Sequence, residues 1–331
     1  MISTRSLLLP LLSALALSSP FEIQNRAPTW TSLASIPLFS RQEHATLFLP
    51  PSTLAILGGI IPDESYPLPI GTIAFMQFYC ITKNTWTSKS LEPRALNHLN
   101  AAVVNGKIYV PGGLAENDEE QRAWRVVPDS WVYDSPTDSW SALPNMPEGE
   151  ARGSAAVGVY GSKIYLASGM TDLELYPNGT QRTVSVVSIF NTVLRSWVEV
   201  LEAAKFLPKG RDHSARQLLV PRFSVLDLCD VEAGWKTSAA RMLTPRGGVA
   251  AGVVGDKVYT FGREVNTAAE SGVFDQVEVY DTVEEKWQRA GTMKIPRHGT
   301  YAVGVGGQVY VPGGALVQGG SLVVDFDVFT P

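Results

Sequence analysis

Ile108-Tyr109-Val110-Pro111-Gly112-Gly113, followed by Trp131-Val132-Tyr133 and, seven residues after Tyr133, by Trp140, is the stretch that decides how this chain folds. The β-branched and aromatic run of Ile108 to Val110 reads as a strand. Asn105-Gly106 just before it is a two-residue hairpin signal, because both positions of that turn need positive φ. The glycine pair closing the strand permits positive φ and close backbone approach. The unit is therefore a hairpin, a loop and a second hairpin carrying two large aromatics.

The same unit recurs along the chain. Strand-like runs ending in small residues appear at Ala55-Ile56-Leu57-Gly58-Gly59, Ile164-Tyr165-Leu166-Ala167-Ser168-Gly169, Val258-Tyr259-Thr260-Phe261-Gly262 and Val309-Tyr310-Val311-Pro312-Gly313-Gly314. Turn dipeptides precede most of them: Tyr160-Gly161, Gly255-Asp256 and Gly306-Gly307. A tryptophan returns at Trp30, Trp86, Trp140, Trp197, Trp235 and Trp287. Seven residues ahead of the last five stand Tyr79, Tyr133, Phe190, Leu228 and Tyr280. A period of roughly 50 residues marks a repeat architecture.

A glycine pair, then a tyrosine, then a tryptophan at this period resembles the Kelch repeat, over residues 28–331. The resemblance implies an all-β fold, a Kelch-type β-propeller of six four-stranded blades, with strands a to d running outward from a central channel. Repeats fall at about 41–92, 93–146, 147–205, 206–241, 242–292 and 293–331, the last completed by 28–37. Trp30 has no repeat of its own upstream, and the last repeat stops at Phe326-Asp327 before any tryptophan. The two halves complement each other, so the N-terminal segment is expected as strand d of the last blade. The bulky aromatics suit the wedge between blades, and a ring leaves few sheet edges open.

Repeat four departs from this pattern. Gly210-Arg211-Asp212-His213 looks like the turn into strand a and Phe223 to Leu228 like strand c, with no glycine pair between them. The repeat is about 17–22 residues short of its neighbours, which reads as a truncated blade; a gene-model or splicing error is the preferred explanation. Repeat five has Gly262-Arg263 where a glycine pair is expected, and a side chain held at positive φ there costs roughly 1 kcal/mol. Cys80 and Cys229 each follow the Tyr-equivalent position, in opposite blades. They are expected as two separate, mostly buried thiols.

The d–a and b–c connections lie on one face of such a fold. The b–c ones, 60–73, 114–128 and 170–182, are long and read as irregular loops. An arginine recurs where the chain turns into strand a, at Arg41, Arg94, Arg152, Arg211, Arg246 and Arg297. The four histidines, His44, His98, His213 and His298, fall in the same region. Arg94, His98, Arg152, Arg211, His213, Arg246, Arg297 and His298 are the candidate ligand-binding residues. Converging at a channel mouth, they would suit a small polar or anionic ligand through guanidinium forks. The competing reading is that they belong to the repeat and bond loop backbone or acids such as Glu43, Glu148, Glu150 and Asp212.

No nucleophile elbow, P-loop or dinucleotide fingerprint is present. The histidines lack paired metal-ligand spacing, so no metal and no cofactor is expected. Asp118-Glu119-Glu120 reads as a solvated surface. Galactose oxidase is similar in fold, but its added domain and Tyr–Cys crosslink have no counterpart here, so a copper radical oxidase is not expected.

The chain has 331 residues, 45% hydrophobic and 18% charged, with a net charge of −5. It can bury a large core, and without a Lys/Arg run it offers nothing to nucleic acid or an anionic membrane. Arg5 followed by the apolar Leu7 to Leu17 and the small pair Ser18–Ser19 reads as a signal peptide over 1–19, leaving a domain over 20–331. That run is too short to span a bilayer. Asn178-Gly179-Thr180 is a glycosylation sequon, which a secreted chain would use.

Two functions remain open: a secreted, non-catalytic binding or interaction protein that takes a small ligand or a protein partner at the long-loop face, and a cofactor-free enzyme. Bacterial secreted Kelch proteins that interconvert anomers of sialic acid resemble the chain in export and blade count. By that analogy the enzyme would be a sugar-acid mutarotase or isomerase using the arginines with His213, His298 or Glu150.

Overall fold

The computed structural model describes residues 27–65, 68–117, 122–176, 178–210, 224–246 and 248–331. The signal-like segment, Arg211, Asp212, His213 and Asp118-Glu119-Glu120 lie outside them. The fold is all-β, with several four-stranded antiparallel sheets of the kind that form Kelch propeller blades. Repeat one supplies strands a (Ala45–Leu49), b (Thr53–Leu57), c (Met76–Cys80) and d (Thr85–Ser88). Repeat five supplies Ala250–Val254, Lys257–Phe261, Gln276–Asp281 and Lys286–Thr292. In repeat six, Val303–Val305, Gln308–Pro312 and Phe326–Thr330 form a sheet whose fourth strand is Thr29–Ser32, with Trp30 opposite Phe329.

Repeats two and three also carry four strands each. Their b and c strands run long: Lys107–Glu116 and Ala123–Asp134, then Lys163–Glu174 and Gln181–Asn191. Beyond the two sheets these extensions pair with each other, Ala123 to Arg125 against Glu174 to Asp172. The expectation of irregular b–c loops is corrected here. The segments are hairpins, including Ile60–Pro62 with Ile70–Thr72 in repeat one and Ala315–Val317 with Gly320–Leu322 in repeat six.

The glycine pairs have a direct cause. Gly58 and Gly59 take φ of 61° and 97°, and Gly313 and Gly314 take 62° and 102°. That geometry brings Gly59 N–H to Leu96 O at 2.8 Å and Gly314 N–H to Arg41 O at 2.8 Å, joining one repeat to the next. A Cβ on Gly58 would stand 2.5 Å from Leu96 O. Arg263 occupies the second position at φ 117°, a left-handed conformation that side chains rarely adopt.

The aromatic pairs do as their sizes suggest. Ring centroids of Tyr79–Trp86, Tyr133–Trp140, Phe190–Trp197 and Tyr280–Trp287 are 5.0, 5.1, 5.2 and 5.3 Å apart. The indole N–H then reaches the preceding unit. Trp86 donates to Ala34 O, Trp140 to Ser90 O, Trp197 to Pro144 O, Trp235 to Ala204 O and Trp30 to Thr292 O. Apolar clusters fill the spaces between sheets, for example Leu57, Phe78, Ile108, Val110 and Tyr133 between repeats one and two. Each such buried side chain stabilises by about 1.5–3 kcal/mol. Strand a of repeat five packs on that of repeat six, six on one, one on two, and two on three.

In repeat four the described residues give only Ser224–Leu226 paired with Trp235–Thr237. Trp235 stands opposite Leu226, so Leu226 rather than Leu228 holds the aromatic position. Cys229 is thus not equivalent to Cys80. Both thiols are free, but Cys229 is exposed and Cys80 only half-buried, which corrects the expectation of burial. No helix among the described residues is long and apolar enough to cross a membrane.

Candidate functional site

The segments leading into each strand a meet the b–c hairpins, and single β-bridges fix their register. Gln42 faces Ile60, Asn97 faces Leu114, Gly153 faces Met170 and His298 faces Ala315. The position just before each bridge is Arg41, Leu96, Arg152 and Arg297. The repeating arginine slot is therefore filled by Leu96 in repeat two, and Arg94 stands two residues ahead of it. Arg94 is half-exposed and reaches Asp129 at 3.5 Å.

The slot arginines turn inward beneath their own sheets. Arg41 donates to Gln77 Oε1 at 2.5 Å and to Phe75 O at 3.3 Å. Arg152 donates to Ser168 O, Leu166 O and Ser188 Oγ at 2.7, 2.8 and 3.0 Å. Arg246 pairs with Glu278 at 3.2 Å and donates to Gln276 O. Arg297 donates to Asp327 Oδ2 at 2.8 Å and Val311 O at 2.9 Å. Burial lowers all four guanidinium pKa values, to about 10 for Arg41 and Arg152, while Glu92, Glu150, Glu278 and Asp327 oppose the shift. The acceptors Gln77, Ser188, Glu278 and Asp327 each stand two residues before the aromatic of strand c. In repeat two that place holds Trp131, beside Leu96 in the arginine slot. Reading the repeat from its aromatic backwards finds these partners, which reading for arginines alone missed.

The three described histidines enter at three different offsets. His98 lies one residue past its bridge, with Glu43, Ser154, Gly248 and Gly299 as equivalents, all at φ of 50° to 61°. Their backbones bond in succession, Glu43 N–H to Gly299 O, His98 N–H to Glu43 O and Ser154 N–H to His98 O, at 2.7, 3.0 and 2.6 Å. This brings His98 Nε2 within 3.4 Å of Glu43 Oε2. His98 Nδ1 is 2.5 Å from Asn97 Oδ1, and its ring lies 5.2 Å from that of Trp124. His44 sits on the other side of its strand, fully buried, and burial pulls its pKa down to about 3. His298 is separate again, 3.7 Å from Glu264 and bonded to Val317 O.

Above these residues the hairpins of repeats one, two and three share an apolar cluster of Ile60, Ile70, Leu114, Trp124 and Met170. Arg122 ties two of them, donating to Leu68 O at 2.9 Å and to Ile70 O while pairing with Glu116 at 2.8 Å. Asn178 sits at the tip of the repeat-three hairpin, exposed, at φ 65°. Thr180 of its sequon donates to Glu174 through backbone and hydroxyl. Among the described residues no three His, Cys, Asp or Glu side chains are placed to hold a metal ion.

The Kelch motif model matches residues 96–147, which is repeat two. The chain is 34% identical to Kelch-like protein terF of Aspergillus terreus over 324 aligned positions, covering 91% of this chain and 68% of that one. It is 23% identical to Beta-scruin of Limulus polyphemus over 303 positions, covering 86% of this chain but 32% of that one. Over 126 positions it is 28% identical to N-acetylneuraminate epimerase of Pasteurella multocida, covering 37% of this chain and 32% of the other. The chain thus spans about two thirds of the first relative's length and about a third of the other two. With the internal repeat, the sheets it builds and this similarity in hand, the chain belongs to the Kelch-repeat family.

Proposed function

We propose that the chain is a secreted, six-bladed, closed Kelch propeller acting as a binding module, with its partner or small polar ligand on the hairpin face. The observation that carries the reading is the state of the arginines. The guanidinium groups of Arg41, Arg152, Arg246 and Arg297 are buried and each makes bonds within its own sheet, so they brace the scaffold. The hairpins beyond strands b and c extend from this scaffold, and rigidly held connections are where recognition usually sits. The pairing of Thr29–Ser32 with Phe326–Thr330, the chain of indole bonds and the order of inner strands support the ring. Asn178 at an exposed tip would carry the glycan of an exported chain.

Photo-crosslinking residues placed at Arg182 on the hairpin face and at Val283 on the opposite face test this reading. A partner labelled from Arg182 alone is expected; labelling from Val283 alone would move the site to the other face. Mass spectrometry of the culture medium should find a mature N-terminus near Pro20.

A second reading, a sugar-acid isomerase, draws on the similarity to the epimerase and on the buried His98–Glu43 pair, an acid–base combination. NMR anomer exchange of N-acetylneuraminate separates the two. The binding reading expects an unchanged rate; acceleration abolished by Glu43→Gln would favour the enzyme.

A further inference from the structure

We propose that the contact between repeats six and one encloses a short file of ordered internal water, held by Gln42, His44 and Thr46. These alternate residues lead into and along strand a of repeat one, and alternation puts them on one side. That side faces repeat six. A Cβ on Gly299 would lie 2.9 Å from Gln42 Oε1, and one on Gly313 would lie 3.1 Å from His44 Cε1. Phe48, the next residue on the same side, packs with Tyr310 and Phe326.

All three polar side chains are more than nine-tenths buried, at 5%, 0% and 8% exposure. Gln42 Oε1 and Thr46 Oγ1 have no hydrogen-bond partner in the protein, and the His44 ring has the Pro312 carbonyl beside it for one nitrogen and no partner for the other. Among the described residues, repeats two, three and six do not build this row. Their corresponding residues are Asn97, Leu99 and Ala101, then Gly153, Ala155 and Val157, then His298, Thr300 and Ala302. Thr300, the one hydroxyl among the second and third positions, is satisfied by Pro312 O at 2.6 Å.

Buried polar groups are almost always bonded, and where protein supplies no partner, internal water does. The chemistry of the row selects that ligand. A neutral imidazole needs one acceptor and one donor, an amide oxygen needs a donor, and a hydroxyl can use both. Water meets all of these at once. An anion would find too few donors, and a cation would stand beside Arg41, whose charge already disfavours a proton on His44.

Two measurements on the full chain test the proposal. A crystal structure fine enough to order internal water should show one within about 3.2 Å of a His44 ring nitrogen and another polar atom of the row. Direct pairing among the three side chains, or empty density, would overturn it. Thr46→Val keeps the volume and removes only the hydroxyl. If water bridges Oγ1, the melting midpoint falls by roughly 2–4 °C. An unchanged or raised midpoint, as expected for removing an unsolvated hydroxyl, refutes the file at that position.

Discussion

At the scale of single residues, each slot arginine is an ionic or polar peg driven under a sheet. Arg297 and Asp327 are 0% and 1% exposed and joined at 2.8 Å. Removing one partner leaves a buried charge alone, so Asp327→Ala should cost about 3–5 kcal/mol in urea unfolding. Replacing both, as Arg297→Leu with Asp327→Leu, should recover most of that loss, because a well-packed apolar pair can match a buried ion pair. Repeat two already makes this exchange with Leu96 and Trp131. A double variant no better than Asp327→Ala would show that the pair does more than fill and neutralise. His44 gives the second prediction. Its folded pKa is about 3, set first by burial and then by Arg41, against an unfolded value near 6.5. Between those limits the unfolded chain binds a proton that the folded chain does not. Stability from this group is complete above about pH 6.5 and falls with decreasing pH, by up to ~1.4 kcal/mol per unit. Urea midpoints at pH 7 and pH 4.5 should therefore diverge less in His44→Leu than in the parent chain. The arginine recurrence was legible in sequence because the residue type stands out. Its register was not: Arg94 resembles the others, and only the backbone bridge at Asn97 shows that Leu96 holds the slot.

At the scale of elements, strands a to d could be read from turn dipeptides and aromatic spacing because both are local signals. The hairpins beyond strands b and c could not. Trp124 pairs with Leu173 across two repeats, and nothing near either residue announces that contact. The resulting platform depends on Arg122, which closes the repeat-one hairpin onto repeat two. Arg122→Ala should speed amide exchange at Ile70–Thr72 and leave the global unfolding midpoint nearly unchanged, since local opening and global stability are separable. If exchange there stays slow, the apolar cluster of Ile60, Ile70 and Leu114 holds the hairpin without the arginine. The chemistry that would decide between a binding module and an isomerase lies on these same elements. For that reason the candidate site was only partly visible before the pairings were known: His98 was named, while Glu43 and Trp124 beside it were not among the ligand candidates.

At the scale of the molecule, the weak place is repeat four. Elsewhere the inner strands are covered on both sides, as in repeat one, where Ala45 and Leu49 are 5% exposed. Next to repeat four they are not. Val159 and Tyr160 on repeat three are 46% and 58% exposed, and Val253 on repeat five is 59% exposed. Among the described residues, the outer part of the repeat-three flank is capped by Leu226, Val231 and Trp235 against Ala167 and Val187. Apolar flanks of this kind normally meet another strand pair. The expectation is a transcript with about 17–22 further codons near 213–224, including a glycine pair, as the repeat length requires. The chain made from it should bind less of a hydrophobic dye and melt higher than the 331-residue chain, because Tyr160 and Val253 would be covered. Full-length transcripts that all match the present reading would reject this. The flanks would then belong to a genuinely short fourth repeat, and the ring would have to close around it.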